Sequence, residues 1–117
     1  MIKSKVSEND ILNGCLQILS VMGIFAFRVN NGGVKRESGY SFKGLRGISD
    51  IMGCYRGRMI CIECKAPGKC NTQSDYQKAF QINIENQNGI YILTDDPHKM
   101  YAELKDKLNK IGVWHEN

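Results

Sequence analysis

Ile48-Ser49-Asp50-Ile51-Met52-Gly53-Cys54-Tyr55-Arg56-Gly57-Arg58-Met59-Ile60-Cys61-Ile62-Glu63-Cys64-Lys65 holds two apolar, β-branched runs, residues 48–55 and 58–65, with only Arg56-Gly57 between them. Two residues are enough for a tight hairpin turn, so both runs read as strands of one antiparallel pair. Such a turn sets Tyr55 opposite Arg58, and every cross-strand pair then sums to 113. That register places Asp50 directly opposite Glu63, with Cα atoms about 4.5 to 5.5 Å apart.

Side chains two apart on a strand share a face. Glu63 and Lys65 therefore point one way with Cys61, while Ile60, Ile62 and Cys64 point the other way into a core. Most Glu-x-Lys triplets are no more than the charged face of a half-exposed strand. Here the register adds the Asp50 carboxylate, and like charges held opposite one another destabilise a sheet unless a cation or a basic neighbour offsets them. Two carboxylates beside a lysine suit Mg²⁺ or Mn²⁺, hard cations that take oxygen ligands and keep several waters. Such an ion polarises a phosphate and acidifies a water, and the lysine orients that water or offsets charge in the transition state. The chemistry indicated is phosphodiester hydrolysis.

Upstream, Ser7-Glu8-Asn9-Asp10 reads as a capping box before apolar residues at helical spacing (Ile11, Leu12, Cys15, Leu16, Ile18, Leu19, Met22), predicting a helix over about residues 8–22 that stops at Gly23. Residues 25–29 (Phe-Ala-Phe-Arg-Val) read as a strand. The polar, Gly-rich loop that follows carries Lys35, Arg36, Lys43 and Arg46 around Tyr40 and Phe42. Cations interleaved with aromatics beside an acidic site suit a DNA strand, the cations tracking phosphates and an aromatic stacking on an unpaired base. Downstream, Ala66-Pro67-Gly68 breaks the second hairpin strand, and Ser74-Asp75-Tyr76-Gln77 is a second capping box. It opens a helix that turns Phe80 and Ile84 inward and ends near Asn88-Gly89. Residues 90–93 form a buried type of strand, and Asp96-Pro97 starts a last amphipathic helix through about Lys110. The predicted class is α/β, with a mixed central sheet flanked by helices in the order α-β-loop-β-β-α-β-α.

The length, 117 residues, suits one domain spanning residues 1–117. With 42% hydrophobic and 24% charged residues and short apolar runs, neither disorder nor a membrane span is expected. Sixteen Lys and Arg against 12 Asp and Glu leave a net charge of +4, compatible with a polyanionic partner. No apolar segment follows Met1-Ile2-Lys3-Ser4-Lys5, so no secretion signal is expected, and Cys15, Cys54, Cys61, Cys64 and Cys70 read as free thiols of a reducing, cytoplasmic compartment. Zinc held by Cys61 and Cys64 with Cys70 and His98 or His115 is not expected, because residues three apart on a strand leave opposite faces. Both histidines read as surface residues.

Asp50 followed by Glu63-Cys64-Lys65 matches the PD-(D/E)xK nuclease pattern, and the flanking residues resemble its VRR-NUC (virus-type replication-repair nuclease) branch. The resemblance begins at Glu8 and runs through Phe27-Arg28-Val29-Asn30-Asn31-Gly32-Gly33, Lys43-Gly44-Leu45-Arg46-Gly47-Ile48-Ser49-Asp50, Ile62-Glu63-Cys64-Lys65, Ser74-Asp75-Tyr76-Gln77 and Asn88-Gly89, about three quarters of the chain. It implies a restriction-endonuclease-like fold and a DNA endonuclease dependent on Mg²⁺ or Mn²⁺. Asp50 and Glu63 would be metal ligands together with the Cys64 backbone carbonyl, Lys65 the catalytic lysine, Glu8 the helix-one acid near the metal, and Gln77 the active-site glutamine. Glu8 and Gln77 also suit their helix starts, by dipole and by capping box. Ser49 departs from the family, which commonly has proline there. Stand-alone members resemble Holliday-junction resolvases, so a homodimer acting on branched or duplex DNA in a bacterial or phage-infected cell is expected. The alternatives are a nucleic-acid-binding module of the same fold that does not cut, and a nuclease subunit that needs a helicase or another partner.

Overall fold

The computed structural model describes residues 5–29 and 45–114. Its elements are α1 (Glu8–Val21), β1 (Phe25–Arg28), β2 (Ile51–Tyr55), β3 (Arg58–Cys64), a 3-10 turn (Cys70–Thr72), α2 (Asp75–Asn86), β4 (Ile90–Thr94) and α3 (Pro97–Lys110). The described order of helices and strands is the predicted one. The 3-10 turn was not anticipated.

Both capping boxes form. The Ser7 hydroxyl accepts from the Asp10 amide while the Asp10 carboxylate accepts from the Ser7 amide, and these bonds hold the Asp10 carboxyl below its usual range. Ser74 and Gln77 repeat the arrangement at α2.

The strands form one sheet in the order β1-β2-β3-β4, antiparallel except for the parallel β3–β4 pair. Arg56 and Gly57 both have positive φ, 48° and 83°, the geometry of a two-residue turn whose twist matches the strands it joins. The register is Tyr55↔Arg58 through Ile51↔Ile62, so the sum of 113 holds along the ladder. One correction concerns its open end: residues 48–50, expected as strand, precede β2. Ile48 closes a turn by donating to the Leu45 carbonyl, and the Asp50 side chain, in place of a backbone carbonyl, takes the Cys64 amide.

β3 is an interior strand, with Ile60 through Cys64 buried on both faces. On one face Ile60, Ile62 and Cys64 pack with Leu12, Cys15 and Leu19 of α1 and Met100, Leu104 and Leu108 of α3. On the other face Cys61 packs with Phe80 of α2 and Tyr91 of β4, whose rings meet edge-on at 6.2 Å, and with the half-buried Ile84. Among the described residues no helix is long and apolar enough to cross a membrane.

Candidate active site

Glu63 lies one position past the last regular β2–β3 pair, on the α2 side of the sheet, and is only 2% exposed. A carboxylate so placed has lost nearly all its water, and burial is the main reason its pKa is pushed up to about 9. The Asp50 charge and a hydrogen bond shared with the Asp50 carboxyl raise it further. Lys65 works against the shift, and the Glu8 charge adds to it. The two carboxyls predicted to face each other therefore do meet. Asp50 is itself fixed, since its Oδ2 accepts the Cys64 amide at 2.8 Å.

Gln77 ties the rest together. Its Nε2 donates to Glu63 Oε2 at 3.2 Å, and its Oε1 accepts from Lys65 Nζ at 3.1 Å and from the Ser74 amide at 2.8 Å. The same amide thus completes the capping box and bonds both Glu63 and Lys65. Because Gln77 is locked into the first turn of α2, the helix start sets the spacing between Glu63 and the lysine two residues on.

Glu8 opens α1 as an exposed residue whose charge reaches Glu63. Among the described residues, no three His, Cys, Asp or Glu side chains gather as an ion-holding group. Two carboxylates are nevertheless enough for Mg²⁺, which keeps most of its waters. The donor set fits: oxygens only, in two neighbouring carboxyls whose mutual repulsion a cation would offset. The Cys64 side chain cannot contribute, being buried under α1 against Cys15. The hydrogen bond between those two thiols, followed by burial, pushes Cys64 up and keeps it protonated. Only the main chain of Cys64 is available to the site. Cys61 faces the opposite side, toward α2, and burial pushes its thiol up as well. His98 is exposed in the first turn of α3.

Of the residues expected to meet DNA, Arg46 is described, and Lys35, Arg36, Tyr40 and Lys43 lie outside the described residues, as does His115. Arg46 donates from Nη1 to the Tyr76 hydroxyl at 2.8 Å, with its guanidinium carbon 5.1 Å from the ring centroid. Gly47 (φ 79°) lies so close to α2 that a Cβ there would meet the Tyr76 carbonyl and come within 2.7 Å of the Gln77 nitrogen. The turn before Asp50 is thereby seated on the helix start that carries Gln77.

Two contributors were missed at the sequence level, and a third, Ser49, was noted only as a departure from proline. Ser49 is fully buried, and its hydroxyl donates to the Ile51 carbonyl at 2.9 Å, bracing the backbone on either side of Asp50. Asp95, just after β4, accepts the Gly68 amide at 2.8 Å and pins the loop that leaves Lys65. Tyr91 is pushed up to about 12, chiefly by burial, against a hydrogen bond from Gln73, with the Glu63 and Asp50 charges adding to the rise. The serine beside the Asp50 position was the only one of these with a sequence signal, its departure from proline. No protein-family model and no curated protein matches the chain.

Proposed function

We propose that this chain is a Mg²⁺- or Mn²⁺-dependent deoxyribonuclease with a restriction-endonuclease-like fold, similar to VRR-NUC domains. The observation that carries the reading is the meeting of the half-buried Asp50 and buried Glu63 carboxyls, with Lys65 linked to Glu63 through Gln77. The mixed sheet with β3 inside it, and the β3-α2-β4 crossover that brings Gln77 over Glu63, support the fold assignment.

Asp50 and Glu63 would hold the cation, with the Cys64 carbonyl as a further ligand and Glu8 near enough to contribute through its charge. When bound, the ion supplies Lewis acidity toward a phosphate oxygen and a water acidified toward hydroxide. The Lys65 ammonium, held 3.1 Å from Gln77 Oε1, is placed to orient the attacking water and to offset charge that grows on the phosphorane-like transition state. Gln77 keeps that ammonium from collapsing onto Glu63, so the acid remains available to the ion. A homodimer acting on branched or duplex DNA follows from the family resemblance, since two-fold symmetry presents two equivalent sites at a fixed spacing.

Cleavage of labelled four-way junction, duplex and single-stranded DNA by the purified protein, with Mg²⁺, Mn²⁺ or EDTA, tests the proposal. Metal-dependent cutting that disappears in Lys65→Ala is the expected result. Junction binding without cutting in either metal would leave a binding module or a partner-dependent subunit in its place.

A further inference from the structure

Tyr76 and Arg46 form a pair that the catalytic arrangement does not use. Tyr76 is the second residue of α2, immediately before Gln77, and its ring is 55% exposed. Arg46 is also exposed, four residues before Asp50. The turn carrying Arg46 is already fastened by the Ile48 amide bond to Leu45 and by the approach of Gly47 to the helix backbone. The 2.8 Å bond from Arg46 to the Tyr76 hydroxyl is therefore not needed to hold the turn. What it does is fix an aromatic ring and a guanidinium together, in water, on a rigid helix start. Among the described residues that hydroxyl takes one of the five N–H donors of the guanidinium, and the others are of the kind that grip a phosphate fork-on.

Resting on the nuclease reading above, we infer that Tyr76 and Arg46 are a base-stacking platform. The ring takes the face of an unpaired base in the strand being cut, and the guanidinium holds the adjoining phosphate. Aromatic faces combined with arginine are the chemistry of single-strand recognition, tolerant of sequence because every base has a π-face. Position supports the same conclusion. Consecutive Cα atoms are about 3.8 Å apart, and Gln77 bonds both Glu63 and Lys65. The ring therefore rises from the same helix turn that reaches the two carboxyls, beside the path of a strand whose phosphate is held there. A paired base inside a duplex offers no free face, so the preferred substrate has an unpaired or frayed base beside the cut.

The experiment measures binding in a Glu63→Gln background with Mg²⁺ present, using single strands and perfect duplexes that carry 2-aminopurine, whose fluorescence falls when it stacks. Added Tyr76→Ala is expected to abolish the quenching and weaken single-strand binding by ~10-fold, within the range for loss of one stacked base, with duplex binding nearly unchanged. Added Tyr76→Phe keeps the ring and is expected to keep the quenching, and Arg46→Gln weakens both DNA forms and lowers the salt dependence. Unchanged single-strand binding and quenching in Tyr76→Ala, or equal weakening of single strand and duplex, overturns the platform. The two readings separate cleanly. Quenching in a protein whose wild type cuts nothing leaves the platform and removes the nuclease, whereas cutting with Tyr76→Ala indistinguishable from wild type on every substrate removes the platform alone.

Discussion

Replacing Glu63 by glutamine should make the metal-free protein more stable at neutral pH, even as it removes the site. In the folded, metal-free chain the Glu63 carboxyl is pushed up to about 9, and in the unfolded chain it titrates near its ordinary 4.5. Below pH 4.5 both states hold the proton, and the group has no effect on stability. Between pH 4.5 and 9 the unfolded chain has released a proton that the folded chain still binds, so stability falls as pH rises, by ~1.4 kcal/mol per pH unit. By pH 7.5 the loss is on the order of 4 kcal/mol, equivalent to roughly 10 °C or more in Tm for a domain this size. Glu63→Gln carries no such slope, and its amide still offers an oxygen to Gln77 Nε2. Thermal melts of both proteins in EDTA from pH 5 to 8.5 give the comparison, the carboxyls remote from Glu63 cancelling in the difference. Added Mg²⁺ at pH 7.5 should raise the wild-type Tm with ion concentration and leave Glu63→Gln nearly unmoved. Parallel pH profiles in EDTA would refute the reasoning, because they would mean that Glu63 ionises in the fold without cost. Equal stabilisation of both proteins by Mg²⁺ would place the ion elsewhere.

Gly47→Ala should destabilise by about 2 to 3 kcal/mol, from positive-φ strain plus a collision with the α2 backbone, and should lower kcat. Gly57→Ala, at a turn with nothing within 4 Å, should cost only ~1 kcal/mol and leave activity alone, and urea titration with parallel cleavage assays distinguishes them. Ser49→Ala leaves the buried Ile51 carbonyl without its hydroxyl partner, for a loss of about 1 to 2 kcal/mol; kcat should fall with DNA affinity unchanged, and Ser49→Thr should restore it. Gln77→Ala removes half of a capping box and both links to Glu63 and Lys65. Its stability loss should be only ~1 kcal/mol in chemical denaturation, but single-turnover cleavage should slow by up to ~100-fold as Lys65 loses its position.

What could be read from the sequence is what local rules determine. A two-residue turn leaves one sensible register, so the pairs from Tyr55↔Arg58 to Ile51↔Ile62 followed from arithmetic, which brought Asp50 near Glu63 although the ladder stops one pair short of them, and strand periodicity put Glu63 and Lys65 on one face before any helix was placed. Capping boxes are equally local, which is why the starts of α1 and α2 were legible. The misreading of residues 48–50 has a specific cause. Ile48-Ser49-Asp50 has strand-like composition, but the Asp50 side chain takes the Cys64 amide that a ladder would have used, and propensity does not register that competition. The Arg46–Tyr76 contact joins residues 30 apart and depends on Gly47 lying against α2, a long-range fit that no window of sequence contains. Gln77 falls between these cases. Its capping role was visible and its hydrogen bonds to Glu63 and Lys65 were not, because they exist only once the crossover has laid α2 over β3.

The topology explains why an ionisable group is tolerated inside this sheet. A buried acid raised to about 9 works against folding at neutral pH, and an isoleucine would pack there without that penalty. Glu63 sits where the open end of the β2–β3 hairpin meets the N-terminus of α2, within reach of the charge of Glu8 at the start of α1. The turn that leads into the hairpin supplies Asp50, the crossover supplies Gln77, and α1 supplies the charge of Glu8. Each arrives from a different element, and each is fixed by its own backbone: Asp50 by the Cys64 amide, Gln77 by Ser74, and α1 by the Ser7–Asp10 box. On the proposed reading, side chains held this way would need little rearrangement to take a cation, so little of the binding energy would go into ordering the ligands. A surface cluster of the same residues would be easier to fold and would hold the ion less well.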